Sequence, residues 1–308
     1  QGNSLSGLWM AAPDDVWGVG GFVIMHWDGD DWSTHASEPT WYLTDIFGFS
    51  RDDIWASGSS GLLLHWDGIS WQTVTLETTG YLGAIWGYRP DDIWMDTSMK
   101  GILYHYDGSG WEQFDTGLDR HFIKFWGAAS DDIWAIGDEG SMLHWDGKAW
   151  TEVYLSYCFM RDIFGVSGTD IRAIGLKTIY YPPDEYFKYG WVFRWDGTDW
   201  NIEETYFDPD ISCIWGAAAD DVWIGGGGAG MYHWDGAQWT DGDTDHRWAL
   251  YDMDGIAATD IWGCGAAGTL VHWNGTAWNA SHSGPQADVY DICSLSPWNA
   301  WSAFYDAY

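Results

Sequence analysis

Short runs of apolar and aromatic residues alternate with polar, Gly-rich breaks along almost the whole chain. No segment sustains the 3.6-residue apolar period of a helix, whereas runs of about four to eight residues bounded by turn residues are typical of β-strands. Residues 43–75 are representative, because four apolar runs follow one another there. These runs occupy residues 45–49, 54–57, 62–66 and 71–75. We therefore predict a four-stranded antiparallel sheet for this stretch.

Close copies of this stretch recur from end to end, so the chain is a tandem repeat. An Asp-Gly or Asn-Gly pair marks each copy and begins at residues 28, 67, 107, 146, 196, 235 and 274. Successive pairs are 39 or 40 residues apart, except for one step of 50 residues. A Trp keeps the same period, with Arg172 in its fifth place: Trp17, Trp55, Trp94, Trp134, Trp223, Trp262 and Trp301. Seven full units and the first half of an eighth are present.

Four short strands in every 40 residues or so predict a β-propeller. We expect an all-β fold of four-stranded antiparallel blades, eight-bladed with an incomplete last blade, and a seven-bladed propeller is the alternative. Residues 1–308 are expected to form a single domain. The Asp-Gly pair predicts a type I′ hairpin turn in each blade, because positive φ at both central positions favours Asp or Asn followed by Gly.

Two units depart from the repeat. In the third, Tyr106 replaces the Trp that precedes Asp-Gly. In the fifth, Arg172 replaces the repeated Trp and Arg194 replaces a repeated His, which indicates linked positions that changed together. The fifth unit also carries about 11 extra residues near positions 177–189, judged against the repeat period. Long loops on rigid scaffolds often carry function, so this insertion is a candidate contact surface; the alternative is a loop that only packs on its own blade.

The Trp-rich repeat resembles the propeller repeats of bacterial exported proteins and is distantly similar to Asp-box and WD-type blades. A His precedes Trp or Tyr in the third strand of six units: His26, His65, His105, His144, His233 and His272. An Asp precedes the second strand of the same units. In WD-type blades a His, an Asp and a Trp form a buried hydrogen-bonded network, so the resemblance implies a structural role for these residues. The Asp-Gly segment lacks the spacing of an Asp-box, and no Asp-box function is implied.

Charge narrows the classes of partner. The net charge is −34, with only 12 Lys and Arg residues, which argues against nucleic acid and anionic membranes. Divalent cations or a basic protein suit this charge better. No apolar run approaches the roughly 18 residues of a membrane-spanning helix. The chain begins at Gln1 without a signal peptide, from which we expect a processed, exported protein at the cell surface or outside the cell; an excised segment would look the same.

The four cysteines, Cys158, Cys213, Cys264 and Cys293, form no Cys-x-x-Cys pair that would indicate zinc binding or redox chemistry. Two disulfides are one interpretation, and four buried thiols are the other.

Calcium is the predicted cofactor. Asp241, Asp243 and Asp245 lie outside the repeat register and place three carboxylates at alternate positions, as calcium-binding loops do. Asp208 and Asp210 form a second, weaker candidate site. The segment lacks the later bidentate Glu of an EF-hand, and a solvated acidic turn is the alternative interpretation.

Aromatic residues outside the repeat register are the candidate binding residues. Most of the 28 tryptophans fall at four repeat positions, as packing between blades requires. Candidate ligand contacts are therefore the off-register tryptophans and the aromatic residues of the insertion: Trp41, Trp191, Trp248, Tyr180, Tyr181, Tyr186, Phe187 and Tyr189. Loop packing is the alternative role of these tryptophans.

No catalytic residue is predicted, because the chain has no Gly-x-Ser-x-Gly elbow, no phosphate-binding loop and no His-x-x-x-His pair. We expect an exported, non-enzymatic binding or structural module that is calcium-stabilised and self-assembling. Its expected partners are proteins, including further copies of itself, or extracellular glycans. The alternative is a lectin or a glycan-processing hydrolase with its site at the central channel.

Overall fold

The computed structural model describes residues 5–38, 40–155, 158–181, 185–207, 210–227, 231–242, 249–282, 288–296 and 299–304. Within these ranges, strands form seven four-stranded antiparallel sheets and one two-stranded sheet. Each four-stranded sheet is one blade, and its strands follow one another in chain order. The all-β propeller prediction is confirmed.

The blades match the predicted repeat units. Blade 1 has β1 (Gly7–Ala12), β2 (Asp15–Gly20), β3 (Val23–Trp27) and β4 (Trp32–Ser37). Blade 2 has β5 (Leu43–Ser50), β6 (Asp53–Gly58), β7 (Leu63–Trp66) and β8 (Trp71–Val74). Blade 3 has β9 (Leu82–Arg89), β10 (Asp92–Thr97), β11 (Ile102–Tyr106) and β12 (Trp111–Asp115). Blade 4 has β13 (Phe122–Ala129), β14 (Asp132–Gly137), β15 (Ser141–Trp145) and β16 (Trp150–Tyr154).

The remaining strands continue this order. Blade 5 has β17 (Phe159–Ser167), β18 (Asp170–Tyr181), β19 (Glu185–Trp195) and β20 (Trp200–Phe207). Blade 6 has β21 (Ile211–Ala218), β22 (Asp221–Gly226), β23 (Tyr232–Trp234) and β24 (Trp239–Asp241). Blade 7 has β25 (Leu250–Ala257), β26 (Asp260–Gly265), β27 (Thr269–Trp273) and β28 (Trp278–His282), and β29 (Val289–Ser296) pairs with β30 (Asn299–Phe304). Short 3-10 turns occupy Ser59–Gly61, Asp138–Gly140 and Ala266–Gly268.

The number of complete blades corrects the eight-bladed prediction, because the seven-bladed alternative is the one that the structure shows. Within the described residues, β29 and β30 make a sheet of two strands only. This sheet packs on blade 1. The Leu8 backbone N–H donates to the Asp291 carboxylate at 2.6 Å, and the Trp301 ring lies 4.7 Å from the Trp27 ring.

The chain divides into two compact units, residues 1–125 with 287–308 and residues 126–286. Blades 1 to 3 and the two-stranded sheet belong to the first unit, and blades 5 to 7 belong to the second. The single-domain prediction therefore stays a prediction. Among the described residues, no helix is both long enough and apolar enough to cross a membrane.

Aromatic packing joins neighbouring blades inside each unit. The repeated Trp of the second strand packs against the Trp that precedes the turn in the next blade. Ring centroids lie 5.3 Å apart for Trp17 and Trp66, 5.1 Å for Trp134 and Trp195, and 4.8 Å for Trp223 and Trp273. Such tilted pairs gain stability beyond their buried area. The predicted role of the repeated tryptophans in packing between blades is confirmed for these pairs.

A carboxylate at the start of the second strand organises each regular blade. In blade 1, His26 Nε2 lies 2.8 Å from Asp15 Oδ1, and Trp17 Nε1 donates to the same oxygen at 2.7 Å. The corresponding His–Asp distances in the other five regular blades are 2.6 to 2.9 Å. In all six blades the His ring also stacks on the repeated Trp, with centroids 4.0 to 4.2 Å apart. The predicted structural cluster is confirmed, and ring stacking is the His–Trp contact common to all six.

The Asp-Gly turn is not the predicted type I′ turn. Trp66 pairs with Trp71, so four residues rather than two connect the strands. Only Gly68 has positive φ there, at +83°, and a side chain at this position would overlap Asp52. Asp67 Oδ1 accepts the backbone N–H groups of Ile69 and Ser70, the last two loop residues, at 2.9 and 2.8 Å. Asp and Asn are therefore selected as side-chain acceptors, not for left-handed backbone.

The cysteines are free thiols, and Cys158, Cys213 and Cys264 are buried. Burial raises the pKa of the Cys158 thiol to about 11. Such a thiol is inert near neutral pH, which fits a packing role.

The carboxylates of Asp45 in blade 2 and Asp96 in blade 3 repel each other electrostatically. Asp45 accepts the N–H of Ile85 in blade 3 at 2.9 Å. Asp96 is 9% exposed, and its Oδ1 has no hydrogen-bond partner among the described residues. A side chain at position 83 would overlap Asp96, so Gly83 is needed there. Burial raises the pKa of Asp96 to about 8, with the Asp45 charge adding to the rise, and burial raises the pKa of Asp45 to about 6.

These raised pKa values predict that the protein loses stability as pH rises. The folded chain holds protons that the unfolded chain releases near an ordinary Asp pKa of about 4, so the free energy of unfolding falls between pH of about 4 and about 8. Asp96→Asn removes much of this fall and stabilises the protein at pH of about 9, by on the order of 3 kcal/mol. Urea unfolding across this range measures the effect.

The exposed Asp30 supplies the control, because Asp30→Asn should leave the pH curve unchanged. If the free energy of unfolding falls with pH equally in the wild type and in Asp96→Asn, Asp96 is not held protonated in the folded chain.

Candidate interaction site on the fifth blade

Blade 5 replaces the His–Trp pair with an ion-pair network. Arg172 NH1 and Arg194 Nε each donate to Asp170 Oδ1 at 3.1 Å. Arg172 also donates to both carboxylate oxygens of Glu203, at 2.9 and 3.1 Å. The predicted linkage of the two arginines is confirmed, because both bind the Asp that pairs with His in the regular blades.

The network is largely buried apart from Arg194, whose side chain is 37% exposed, and its two positive charges balance its two negative charges. Arg172 is 2% exposed, and the side chains of Asp170 and Glu203 are each 10% exposed. The hydrogen bonds that Arg194 donates to Asp170 raise the pKa of Arg194 above its ordinary value. Glu203 was not identified from the sequence. The feature that could have identified it is an acidic residue in the fourth strand of the unit that carries two extra arginines. Since these charges satisfy one another, the arginines are structural and are not a substrate-binding cluster.

The insertion is a continuation of the β18–β19 hairpin. These strands have 12 and 11 residues, against 6 and 4 for the corresponding β6 and β7. Pairing continues without a break from Lys177 with Tyr189 to Tyr181 with Glu185. We call residues 177–181 and 185–189 the arm. The hydrogen-bonded ladder makes these residues an extension of the blade strands rather than an irregular loop.

Aromatic side chains run from the blade core onto one face of the arm. Trp191 packs against a buried cluster that includes Phe193, and Lys177 lies over its ring at 5.5 Å. Tyr189 and Phe187 follow at alternate positions on the same strand face, with ring centroids 6.4 Å apart. Exposure rises along this row until Phe187 is 43% exposed.

Other predicted binding residues are distributed differently. Tyr180 is 49% exposed and lies on the opposite face of the arm. The backbones of Tyr181 and Tyr186 belong to the arm ladder. Trp41 packs against the core shared by blades 1 and 2. Trp248 lies outside the described residues.

The predicted calcium ligands are only partly described. Asp241 ends β24, and Asp210 precedes β21, where its carbonyl accepts the Gly227 N–H at 2.7 Å. Asp208, Asp243 and Asp245 lie outside the described residues. Within the part of the chain that the structure describes, no group of three or more metal-ligating side chains is present. The calcium site stays a prediction.

A cavity of about 630 Å³ lies between blades 2 and 3. Its walls include Trp55, Tyr104, Tyr106 and Trp111, and Glu77 also lines it. Sequence reasoning identified Tyr106 as a departure from the repeat but did not predict a cavity. The sequence feature that could have indicated the cavity is the smaller side chain of Tyr106 at a position where the other units place Trp.

Neither a protein-family profile nor a curated protein sequence matches the chain. Among solved structures, the C-terminal WD40 domain of Sif2 has a TM-score of 0.73 at 9% identity, over 98% of this chain and 93% of that one. YCF48 from Cyanidioschyzon merolae has a TM-score of 0.64 at 18% identity, over 88% and 96%. YCF48 bound to D1 peptide has a TM-score of 0.62 at 15% identity, over 89% and 91%. These likenesses show the propeller fold alone.

The network predicts that Arg172 is required for stability. Arg172→Met removes the buried guanidinium that joins Asp170 to Glu203, leaves only the partly exposed Arg194 beside them and should cost about 3–5 kcal/mol of unfolding free energy. The exposed Arg89, which pairs with the exposed Asp91, is the matched control, and Arg89→Met should cost less than about 1 kcal/mol. Denaturant unfolding measures both variants. Equal, small losses would mean that the network contributes nothing to blade 5.

Proposed function

We propose that the protein is a non-enzymatic interaction module and that the arm of blade 5 is its contact surface for a protein partner. One observation carries this proposal: a regular hairpin extends past its blade and presents Phe187 and Tyr180, which are 43% and 49% exposed. Aromatic side chains dominate the energetics of protein interfaces because they bury much area with few rotatable bonds.

The base of the arm supports this role. Leu176 is 9% exposed and Trp191 packs into the core, so the arm begins on a buried foundation. Below it, the Arg172 network also connects blade 5 to blade 6, through hydrogen bonds to Ala219 O and from Trp239 to Glu203. A rigid base reduces the entropy lost when the arm binds a partner.

Two further observations favour binding over catalysis. Arg172 and Arg194 are engaged in ion pairs with Asp170 and Glu203, so these two do not supply the convergent free cations that a sialidase-type site needs. Among the structural neighbours, one propeller of this fold was captured with a peptide, YCF48 with D1. For the present chain, a peptide segment of another protein is the partner class that we propose.

The finer parts of the proposal rest on the sequence. Export is proposed from the resemblance of the Trp-rich repeat to exported propeller repeats, and calcium stabilisation is proposed from the net charge of −34 and the alternate carboxylates of residues 241–245. Self-association is the proposed use of the arm where no other partner is present, because one aromatic hairpin can pack against its copy.

Removal of the arm should separate binding from folding. Residues 178–188 are replaced by Asn-Gly, which joins the paired residues Lys177 and Tyr189 with a two-residue turn. The melting temperature should stay within a few degrees of the wild type, because the other blades fold without an arm. Proteins retained specifically by the immobilised wild type, measured by quantitative mass spectrometry, should be lost, as should any self-association measured by light scattering.

Point variants exclude a nonspecific effect of apolar surface. Tyr180→Ser with Phe187→Ser should reproduce the loss of binding, whereas Ile69→Ser should not, although Ile69 in a blade 2 turn is 85% exposed. Unchanged retention and association after arm replacement would place the contact surface elsewhere.

A further inference from the structure

The cavity between blades 2 and 3 arises where the repeat departs from Trp. In blade 2, Trp66 Nε1 donates to the Arg51 carbonyl at 3.1 Å, and the same hydrogen bond forms in blades 4, 5 and 7 at 3.0 to 3.2 Å. Tyr106 holds the corresponding place in blade 3, but its hydroxyl donates to the Gly108 carbonyl of its own turn at 3.3 Å. The smaller ring therefore turns towards its own blade, and the cavity of about 630 Å³ opens beside it.

The walls of this cavity are aromatic. Trp55 and Tyr104 are 4% and 3% exposed and form the deep part, whereas Tyr106 and Trp111 are half-buried. Ring centroids lie 5.4 Å apart for Trp55 and Tyr106 and 5.5 Å apart for Tyr106 and Trp111. Aromatic faces carry negative electrostatic potential and attract cations, most strongly where water is excluded.

One acidic side chain, Glu77, lines the same cavity and is exposed to solvent. It lies close enough to Tyr104 to contribute, after burial, to the raised pKa of that hydroxyl. Among the described residues that line the cavity there is no Lys or Arg, and the one His, His65, is engaged by Asp53 at 2.8 Å. The acidic side chain and the aromatic walls thus both favour a cationic ligand.

We propose that the blade 2–3 cavity is a receptor for an arginine side chain in a basic peptide segment of a protein partner. A guanidinium group stacks its plane on Trp and Tyr rings while its N–H groups pair with a carboxylate, so it uses both features of the cavity. The cavity volume lies within the range of small-ligand sites and accommodates a long side chain with its neighbouring backbone. The net charge of −34 draws basic segments to the surface.

This inference does not depend on the arm, because the cavity is built from blades 2 and 3 and the arm from blade 5. The chain also supplies a matched control. Glu38 follows β4 at the same distance from the strand Trp as Glu77 follows β8, but there the next blade carries Trp66 where blade 3 carries Tyr106. The two glutamates therefore differ in the cavity beside them and not in their place in the repeat.

The test uses three capped pentapeptides, Gly-Gly-X-Gly-Gly, in which X is arginine, its uncharged isostere citrulline, or lysine. Calorimetric titration of the full chain should give measurable binding of the arginine peptide and about tenfold weaker binding, or less, of the other two. Glu77→Gln should lower the affinity for the arginine peptide by about tenfold, and Glu38→Gln should leave that affinity unchanged. Tyr106→Trp, which restores the repeat residue and fills the cavity, should abolish binding without lowering the melting temperature.

Several results would overturn the proposal. These are no binding of the arginine peptide, equal affinity for the citrulline or lysine peptide, and equal weakening by Glu77→Gln and Glu38→Gln, which would mean only general attraction to an acidic protein. Unchanged affinity in folded Tyr106→Trp would also overturn it. If Tyr106→Trp does not fold, the paired Gln variants decide the question, because both change exposed side chains.

Discussion

The hydrogen bond between a His of the third strand and an Asp of the second strand is the contact on which each regular blade depends. In blade 1 it holds His26 against Asp15, and it stacks the imidazole on Trp17. The same Trp then packs on Trp66 of the next blade. One carboxylate thereby fixes two strands of its own blade and places the ring that joins the following blade. Loss of the Asp would affect both contacts.

Blade 5 keeps a carboxylate connection between its second and third strands although its residues differ from the repeat. Arg172 stands in the place of Trp, and Arg194 stands in the place of His. Two cations beside one buried Asp170 would be unbalanced, and Glu203 supplies the second carboxylate. A complete change of chemistry has kept the same connection between strands. The arm extends from this blade, so the altered network and the added contact surface occur together.

The repeat pattern predicted the blades, their order and the His–Asp clusters, because each depends on local turn chemistry and periodic side chains. It failed at the Asp-Gly turn, where the choice between two and four loop residues depends on the pairing of Trp66 with Trp71. It did not reveal Glu203 or the cavity beside Tyr106, because both depend on contacts between different strands or blades. The sequence left seven and eight blades as alternatives, and only the strand pairing decides between them.

The central claim is that repeated positions maintain the fold, whereas the exposed departures from the repeat make contacts. A pooled substitution scan of the whole chain, scored by resistance to proteolysis, tests this claim most directly. The account predicts strong loss of resistance for most substitutions at the six repeated carboxylates, Asp15, Asp53, Asp92, Asp132, Asp221 and Asp260. It predicts near-neutral scores at Tyr180 and Phe187. Equal intolerance at the two sets of positions would contradict it, because the departures would then be part of the fold.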